Sequence, residues 1–176
     1  MKSFTKSNAA IRFVLAVLVL VPVLTAGLSA KEKVDPVLWK KAMRIHDEAI
    51  VIDTHCDTPM AVIGDDIDLG KKNDKTDVDF VRMKEGGVDA MFFAAFVSNR
   101  LDEKQPSKNA LEMIDEVYLQ VEKNRGVAAL AFSANDIRDI HKTGKRAILL
   151  GIENGGPIES NLRLLRNFYR LGVRYI

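Results

Sequence analysis

The sequence contains a single cysteine, Cys56, among 176 residues. One cysteine cannot form an internal disulfide, which excludes the disulfide frameworks that stabilise many small secreted domains. Basic residues are not in clear excess either, since 26 lysines and arginines stand against 24 acidic residues, and no basic stripe suggests nucleic-acid binding. A glycine-rich phosphate loop is also missing, because "GIENGG" (151–156) lacks the spacing and the lysine of such a loop. A nucleotide-binding fold is therefore disfavoured.

Residues 1–30 contain no acidic residue. Three basic residues precede an apolar stretch at 13–24, and small residues follow in "TAGLSA", which is the layout of a secretory signal peptide. The apolar stretch is shorter than the roughly 20 residues that cross a bilayer. We therefore expect export to the periplasm or the extracellular space and removal of 1–30, with an uncleaved membrane anchor as the alternative. Residues 31–176 then form one domain with 23 basic and 24 acidic residues.

Uninterrupted apolar runs alternate with amphipathic helical patterns after the leader. Strands are predicted at 49–53, 89–97, 127–132, 147–153 and 173–176, and helices at 36–48, 78–85, 108–124, about 134–143 and about 162–171. Strands of this kind are typical of a parallel sheet covered by helices on both faces. Because a complete (β/α)8 barrel usually has about 250 residues, we predict an α/β fold, namely the N-terminal half of a (β/α)8 TIM-like barrel, truncated inside an apparent strand.

The stretch "VIDTHCDTP" (51–59) places polar residues at the end of the first strand. Because side chains alternate along a strand, Asp53, His55 and Asp57 are expected on one face, and Thr54 and Cys56 on the other. An imidazole and a carboxylate suit a zinc-type cation, and barrel enzymes place such groups at the carboxyl ends of their strands. Asp53, one step deeper, could orient the histidine. Taken alone, the motif fits a solvated polar rim equally well.

Glu153 changes this balance because it ends a second apolar strand, "AILLGIE". It is expected at the same barrel mouth, where a carboxylate could bridge two metal ions about 3.5–4 Å apart. Together, His55, Asp57 and Glu153 favour a metal site over a polar rim. His46 and His141 lie on predicted amphipathic helices and are interpreted as structural.

Three blocks, "DTHCDTP", "VRMKEGGVDAMFFAAFV" and "GIENGGPIESNLRLLRNFYRLGVRYI", resemble the membrane (renal) dipeptidase family of zinc metallopeptidases in spacing and order. The resemblance implies a (β/α) barrel, two zinc ions, and hydrolysis of a dipeptide substrate through a metal-bridged hydroxide. By position, His55 and Asp57 correspond to ligands of one zinc and Glu153 to the bridging carboxylate. Cys56 stands where the family usually has Asn, and Gly156 where many members have His.

The resemblance also implies that part of the site lies elsewhere. The family's two histidine ligands of the second zinc, and an arginine and an aspartate associated with substrate binding and catalysis, follow a block like "GVRYI". The chain is therefore expected to be a fragment that is inactive alone, with no catalytic residue beyond the metal ligands. A non-catalytic exported half-barrel that binds a ligand, and another metal-dependent barrel amidohydrolase, stay open as alternatives. We expect contact with a membrane only through the N-terminal segment and do not expect nucleic acid as a partner. A homo-oligomer stays possible as an alternative to a monomer.

Overall fold

The structure, a computed structural model, describes residues 34–98 and 105–176. The predicted leader lies outside these residues. The chain divides into two compact units, residues 1–41 and 42–176. The first described helix, α1 (Pro36–Glu48), has the predicted bounds, and Asp35 accepts a hydrogen bond from the N–H of Val37 at its start (2.8 Å). Within the described ranges, every helix is too short or too polar to cross a membrane.

The second unit alternates strands and helices, as predicted. In chain order its elements are β1 (Ile52–Cys56), α2 (Thr58–Val62), α3 (Phe80–Glu85), β2 (Ala90–Phe96), α4 (Pro106–Lys123), β3 (Ala128–Leu130), α5 (Ala134–Lys142), β4 (Arg146–Glu153), a 3₁₀ helix (Gly156–Ile158), α6 (Leu162–Arg170) and β5 (Val173–Tyr175). The first strand begins three residues later than predicted. The α/β class is confirmed.

The five strands form one parallel sheet in the order β1-β2-β4-β3, with β5 also paired to β4. All of β2 pairs with one side of β4, from Ala147 to Glu153. The strands β3 and β5 therefore pair with the other side of β4. β3 pairs with the first part of β4 and β5 with the second part. The strands β1, β2, β4 and β5 therefore follow one another as in a (β/α) barrel, and the described residues form the N-terminal half of such a barrel. All carboxyl ends of these parallel strands lie at one edge of the sheet.

The core lies where the helices pack against β2 and β4. Both strands are almost completely buried, as uninterrupted apolar sequences predict. The largest fully buried side chains include Phe80, Phe93 and Phe168. Burial of β1 on both faces was expected and is wrong, since four of its five residues are exposed. The reason is its position, because within the described residues β1 pairs with β2 alone and forms the edge of the sheet.

A buried ion pair lies at the opposite, amino-terminal edge of the sheet. Arg146 begins β4, and its guanidinium donates to Asp89 Oδ1 (3.1 Å) and to the carbonyl oxygen of Val88 (3.0 Å). Asp89 Oδ2 accepts from the N–H of Val51, just before β1 (2.9 Å). The exposed fractions are 7% for Asp89 and 8% for Arg146. The pair therefore links β1, β2 and β4 at the edge farthest from Glu153.

Candidate metal centre

Three side chains from two strands meet at the carboxyl edge of the sheet. His55 is the second-last residue of β1, Asp57 directly follows that strand, and Glu153 is the last residue of β4. His55 Nε2 lies 3.2 Å from Asp57 Oδ1 and 2.9 Å from Glu153 Oε2. One ligand atom from each residue lies within 4.8 Å of the other two. The expected convergence of these side chains is confirmed, while their role as metal ligands stays a prediction.

The spacing of the three groups fits one divalent cation. Two ligand atoms each about 2.0–2.1 Å from a tetrahedral zinc ion lie roughly 3.3 Å apart, close to the two distances from His55 Nε2. One imidazole and two carboxylates are also donors that suit zinc. The side chains are 42–49% exposed, so an ion can reach them from solvent. The cluster could therefore hold a metal ion without rearrangement of the strands.

Asp53 contacts the backbone of His55 and not its ring. Its Oδ1 accepts a hydrogen bond from the N–H of His55 (3.0 Å), whereas the imidazole Nδ1 lies 2.9 Å from the hydroxyl oxygen of Tyr175. A register shift in β1 between Asp53 and Cys56 interrupts the two-residue alternation on which the expectation for Asp53 rested. Sequence reasoning missed Tyr175. The available signal was its place near the carboxyl end of a further strand, as for His55 and Glu153.

Tyr175 is packed between strands. A Cβ added at Gly151 in β4 would lie 2.3 Å from Tyr175 Cζ, so the ring lies directly on the glycine. The ring of Phe92 in β2 packs from another side, with centroids 5.2 Å apart. Burial raises the pKa of Tyr175, and electrostatic interactions with Cys56, Glu153 and Asp57 act in the same direction. The hydroxyl therefore keeps its proton at neutral pH.

Cys56 does not belong to the group of converging ligand atoms, as expected from its place in the strand. The side chain packs against the main hydrophobic core, and the thiol contacts Thr58 Oγ1 (3.3 Å). Burial raises the pKa of the thiol. The Asn-to-Cys departure from the family pattern therefore falls on a partly buried side chain that packs against the core and also lines a cleft beside Asp57.

A cleft of about 310 Å³ opens beside Asp57, and residues 75–78 form one of its walls. These residues belong to the loop between α2 and α3, which is anchored by Gln120 of α4. The Gln120 amide donates to the carbonyl oxygen of Ile67 (2.8 Å) and accepts from the N–H of Leu69 (2.9 Å). Since Gln120 is only 4% exposed, this anchor is buried and holds the start of the loop in place, while the guanidinium of Arg82 donates to the carbonyl oxygen of Thr76 in the wall (3.0 Å).

The two other histidines lie away from the cluster. His46 Nε2 is 3.1 Å from the carbonyl oxygen of Gly86, and His141 Nδ1 is 3.1 Å from Asp89 Oδ1 at the amino edge of the sheet. Neither imidazole contributes to the cluster, in keeping with the structural interpretation.

A parallel α/β half-barrel with an imidazole and two carboxylates at the carboxyl ends of its strands has the architecture of metal-dependent barrel enzymes. Comparison with known proteins identifies the family. Residues 39–176 match the family model of membrane dipeptidase, peptidase family M19, and the chain belongs to this family. The resemblance seen in the sequence is thus confirmed, and it supports metal-dependent peptide hydrolysis at the level of the family.

Individual relatives agree with this assignment. Dipeptidase ataJ of Aspergillus terreus is 31% identical over 138 residues, which cover 71% of this chain and 34% of that protein. The crystal structure of dipeptidase AC, a metallopeptidase, superposes with a TM-score of 0.62 at 27% identity and covers 71% of this chain and 41% of its own. A metallopeptidase from Rhodobacter sphaeroides has the same fold, with a TM-score of 0.60, 22% identity, and coverage of 71% and 44%. The chain spans about a third of the length of the curated relative.

Proposed function

We propose that this chain provides half of the active site of a zinc-dependent dipeptidase, with His55, Asp57 and Glu153 as metal ligands. The observation that carries the proposal is the approach of His55 Nε2 to both carboxylates at the carboxyl edge of the sheet. Membership of the membrane dipeptidase family supports the reaction class.

Each ligand has a separate role in this proposal. His55 and Asp57 come from one strand end and would hold one zinc ion. Glu153 comes from a second strand end, where Oε2 faces His55 and Oε1 is the further ligand atom that a bridging carboxylate needs. Bound zinc ions would polarise the scissile carbonyl and lower the pKa of a bridging water toward neutrality. Since three residues cannot complete two four-coordinate sites, further ligands must come from outside this set.

We place the dipeptide in the cleft beside Asp57. Its volume of about 310 Å³ is at the lower end of the roughly 300–1,000 Å³ of small-molecule pockets, which suits a substrate of two residues. The Rhodobacter sphaeroides relative was solved with a phosphinate mimic of the dipeptide L-Ala-D-Ala, which supports a substrate of this size for the fold. Residues 75–78 would then form one wall of the substrate site.

A hybrid enzyme tests the function. Residues 39–176 would replace the matching part of dipeptidase AC, and the hybrid would be assayed with zinc and a simple dipeptide. We expect turnover that His55→Ala and Asp57→Asn each abolish. The matched controls are His46→Ala and Asp139→Asn, which make the same changes away from the cluster and should leave turnover unchanged. Full activity in the Asp57→Asn hybrid would contradict the ligand assignment.

The isolated chain is expected to have negligible dipeptidase activity and weak zinc affinity. Its described residues offer only the three ligands of the cluster, and unpaired strand edges favour aggregation. Purified protein would be assayed with zinc and a simple dipeptide beside a His55→Ala control. Turnover that the substitution abolishes would refute this expectation. Such turnover would require a homo-oligomer in which each copy supplies metal ligands that complete the site of another copy.

Export is the remaining part of the proposal and rests on residues 1–30 alone, which lie outside the described residues. Basic residues, a short apolar stretch and small residues in that order support removal of this segment during export. N-terminal sequencing of protein from the source cells decides the matter. An intact Met1 on a membrane-bound product would show an anchor instead.

A further inference from the structure

We infer that Tyr175 is the positioning residue for His55, and that Gly151 is required because the tyrosine ring lies on it. The inference rests on the proposed metal site, since it assigns the group that orients one of the proposed ligands. Tyr175 touches neither Asp57 nor Glu153 through a hydrogen bond in the described residues. It would act through the imidazole of His55.

The geometry places Tyr175 on the side of the imidazole opposite the carboxylates. The hydroxyl oxygen is 2.9 Å from His55 Nδ1, while Nε2 faces Asp57 and Glu153. The two rings are nearly parallel, with an interplanar angle of 23° and centroids 6.1 Å apart. A hydrogen bond at Nδ1 therefore sets the direction of Nε2. It also influences which nitrogen carries the proton, and a ligand that binds metal through Nε2 needs that proton on Nδ1.

A tyrosine suits this position because its hydroxyl both donates and accepts hydrogen bonds. With a metal ion at Nε2, the Nδ1–H of His55 donates to the hydroxyl oxygen of Tyr175. Without the ion, a neutral imidazole with its proton on Nε2 would donate to Glu153 and would accept the Tyr175 hydroxyl at Nδ1. The ring can thus keep one orientation in both states. A carboxylate at the same place could serve only the first state, because it only accepts.

Gly151 fixes the place of the tyrosine ring. It pairs with Tyr175 across β4 and β5, and any Cβ at this position would meet the ring at 2.3 Å. Phe92 packs against the ring from β2. An alanine at position 151 would therefore displace the ring, and with it the hydroxyl, without changing any polar group of the site.

Zinc affinity of the full chain provides the first measurement. Calorimetry would compare the unchanged protein with Tyr175→Phe and with the control Tyr118→Phe, whose lost hydroxyl donates to the carbonyl oxygen of Leu171 (2.8 Å) outside the cluster. Loss of a group that orients a metal ligand typically weakens affinity about 10- to 100-fold, which is the loss we expect for Tyr175→Phe. Tyr118→Phe should leave the affinity unchanged. Gly151→Ala should weaken binding by itself but add nothing to Tyr175→Phe.

Nitrogen-15 NMR of the imidazoles provides the second measurement and needs no metal. The protein has three histidines, so each signal can be assigned. In the neutral imidazole, the Nδ1 signal of His55 should be that of a hydrogen-bonded acceptor. We expect this signal to move in Tyr175→Phe and to stay in place in Tyr118→Phe. The signals of His46 and His141 should not move in either variant, whereas a general folding defect would move all three.

The outcomes separate the inference from the proposed function. If neither zinc affinity nor the His55 Nδ1 signal changes in Tyr175→Phe, the positioning role is wrong. If His55→Ala lowers zinc affinity while Tyr175→Phe does not, the metal site stands and only the role of Tyr175 fails. If His55→Ala leaves measurable zinc binding unchanged, the proposed ligand set fails. Where binding is too weak for calorimetry, the Nδ1 signal alone decides the positioning role.

Discussion

Arg146→Met should destabilise the chain strongly, although the change lies at the edge of the sheet away from the metal centre. Methionine keeps an apolar stem but removes the charge that pairs with Asp89. Removing one partner of a buried pair costs about 3–5 kcal/mol, because the other charge is left uncompensated. Asp89 would keep the N–H of Val51 (2.9 Å) and the nearby imidazole of His141 (3.1 Å). We therefore expect the lower end, about 3 kcal/mol of unfolding free energy.

Urea unfolding followed by far-ultraviolet circular dichroism would measure the loss. The matched control is Lys142→Met, which breaks an ion pair with Asp139 whose side chains are 72% and 73% exposed. An exposed pair contributes about 0–1 kcal/mol. Asp89→Asn combined with Arg146→Met should recover part of the loss, because no buried charge remains and the amide oxygen still accepts from Val51. An Arg146→Met loss no larger than that of the control would refute the reasoning.

Three further predictions concern groups around the site. Gln120→Leu should lower the unfolding free energy by about 2–3 kcal/mol in the same assay, because the N–H of Leu69 and the carbonyl oxygen of Ile67 lose their hydrogen-bond partner. A loss smaller than that of Lys142→Met would argue against the anchor. Cys56 should react with a thiol reagent more slowly than glutathione at neutral pH, since burial raises its pKa, and equal rates in folded protein would disprove this. A hydrogen bond from Asn124 lowers the pKa of Asp68 in the folded protein below its ordinary value of 3.8. The Asp68 carboxylate therefore contributes its full stabilisation above pH 3.8. This stabilisation is lost as the pH falls through the lower pKa of the folded state. Acid titration of stability should therefore be steeper in this region for the unchanged protein than for Asp68→Asn.

The sequence was sufficient to predict most of the elements and the placement of the three proposed ligands at one edge of the sheet. The runs that became β2 and β4 are apolar without interruption, a pattern that local sequence reports directly. Placement of His55, Asp57 and Glu153 at one edge of the sheet follows from parallel strands, because the carboxyl ends share that edge. Their contact across the intervening strand β2 depends on tertiary structure.

The features that the sequence could not predict depend on neighbours distant in the chain. Burial of β1 depends on what pairs with its outer edge, and an apolar run carries no information about that. The contact of Asp53 depends on a register shift that has no marker in "DTHCD". Tyr175 reaches His55 across 120 positions of sequence, and its place on the ring depends on the missing side chain at Gly151. These are properties of tertiary packing and not of local pattern.

The amino edge of the sheet carries a buried, balanced ion pair, whereas the carboxyl edge carries exposed carboxylates in excess, and this difference bears on function. At the amino edge, Asp89 and Arg146 are buried and balance each other, so removing either charge acts on stability. At the carboxyl edge, Asp57 and Glu153 both face His55, and one imidazolium could balance at most one of them. Since these side chains are 42–49% exposed, water can screen the excess negative charge at small cost to the fold. In the proposed site a divalent cation would balance both carboxylates with His55 as a neutral ligand, so the charge left uncompensated by folding would favour metal binding.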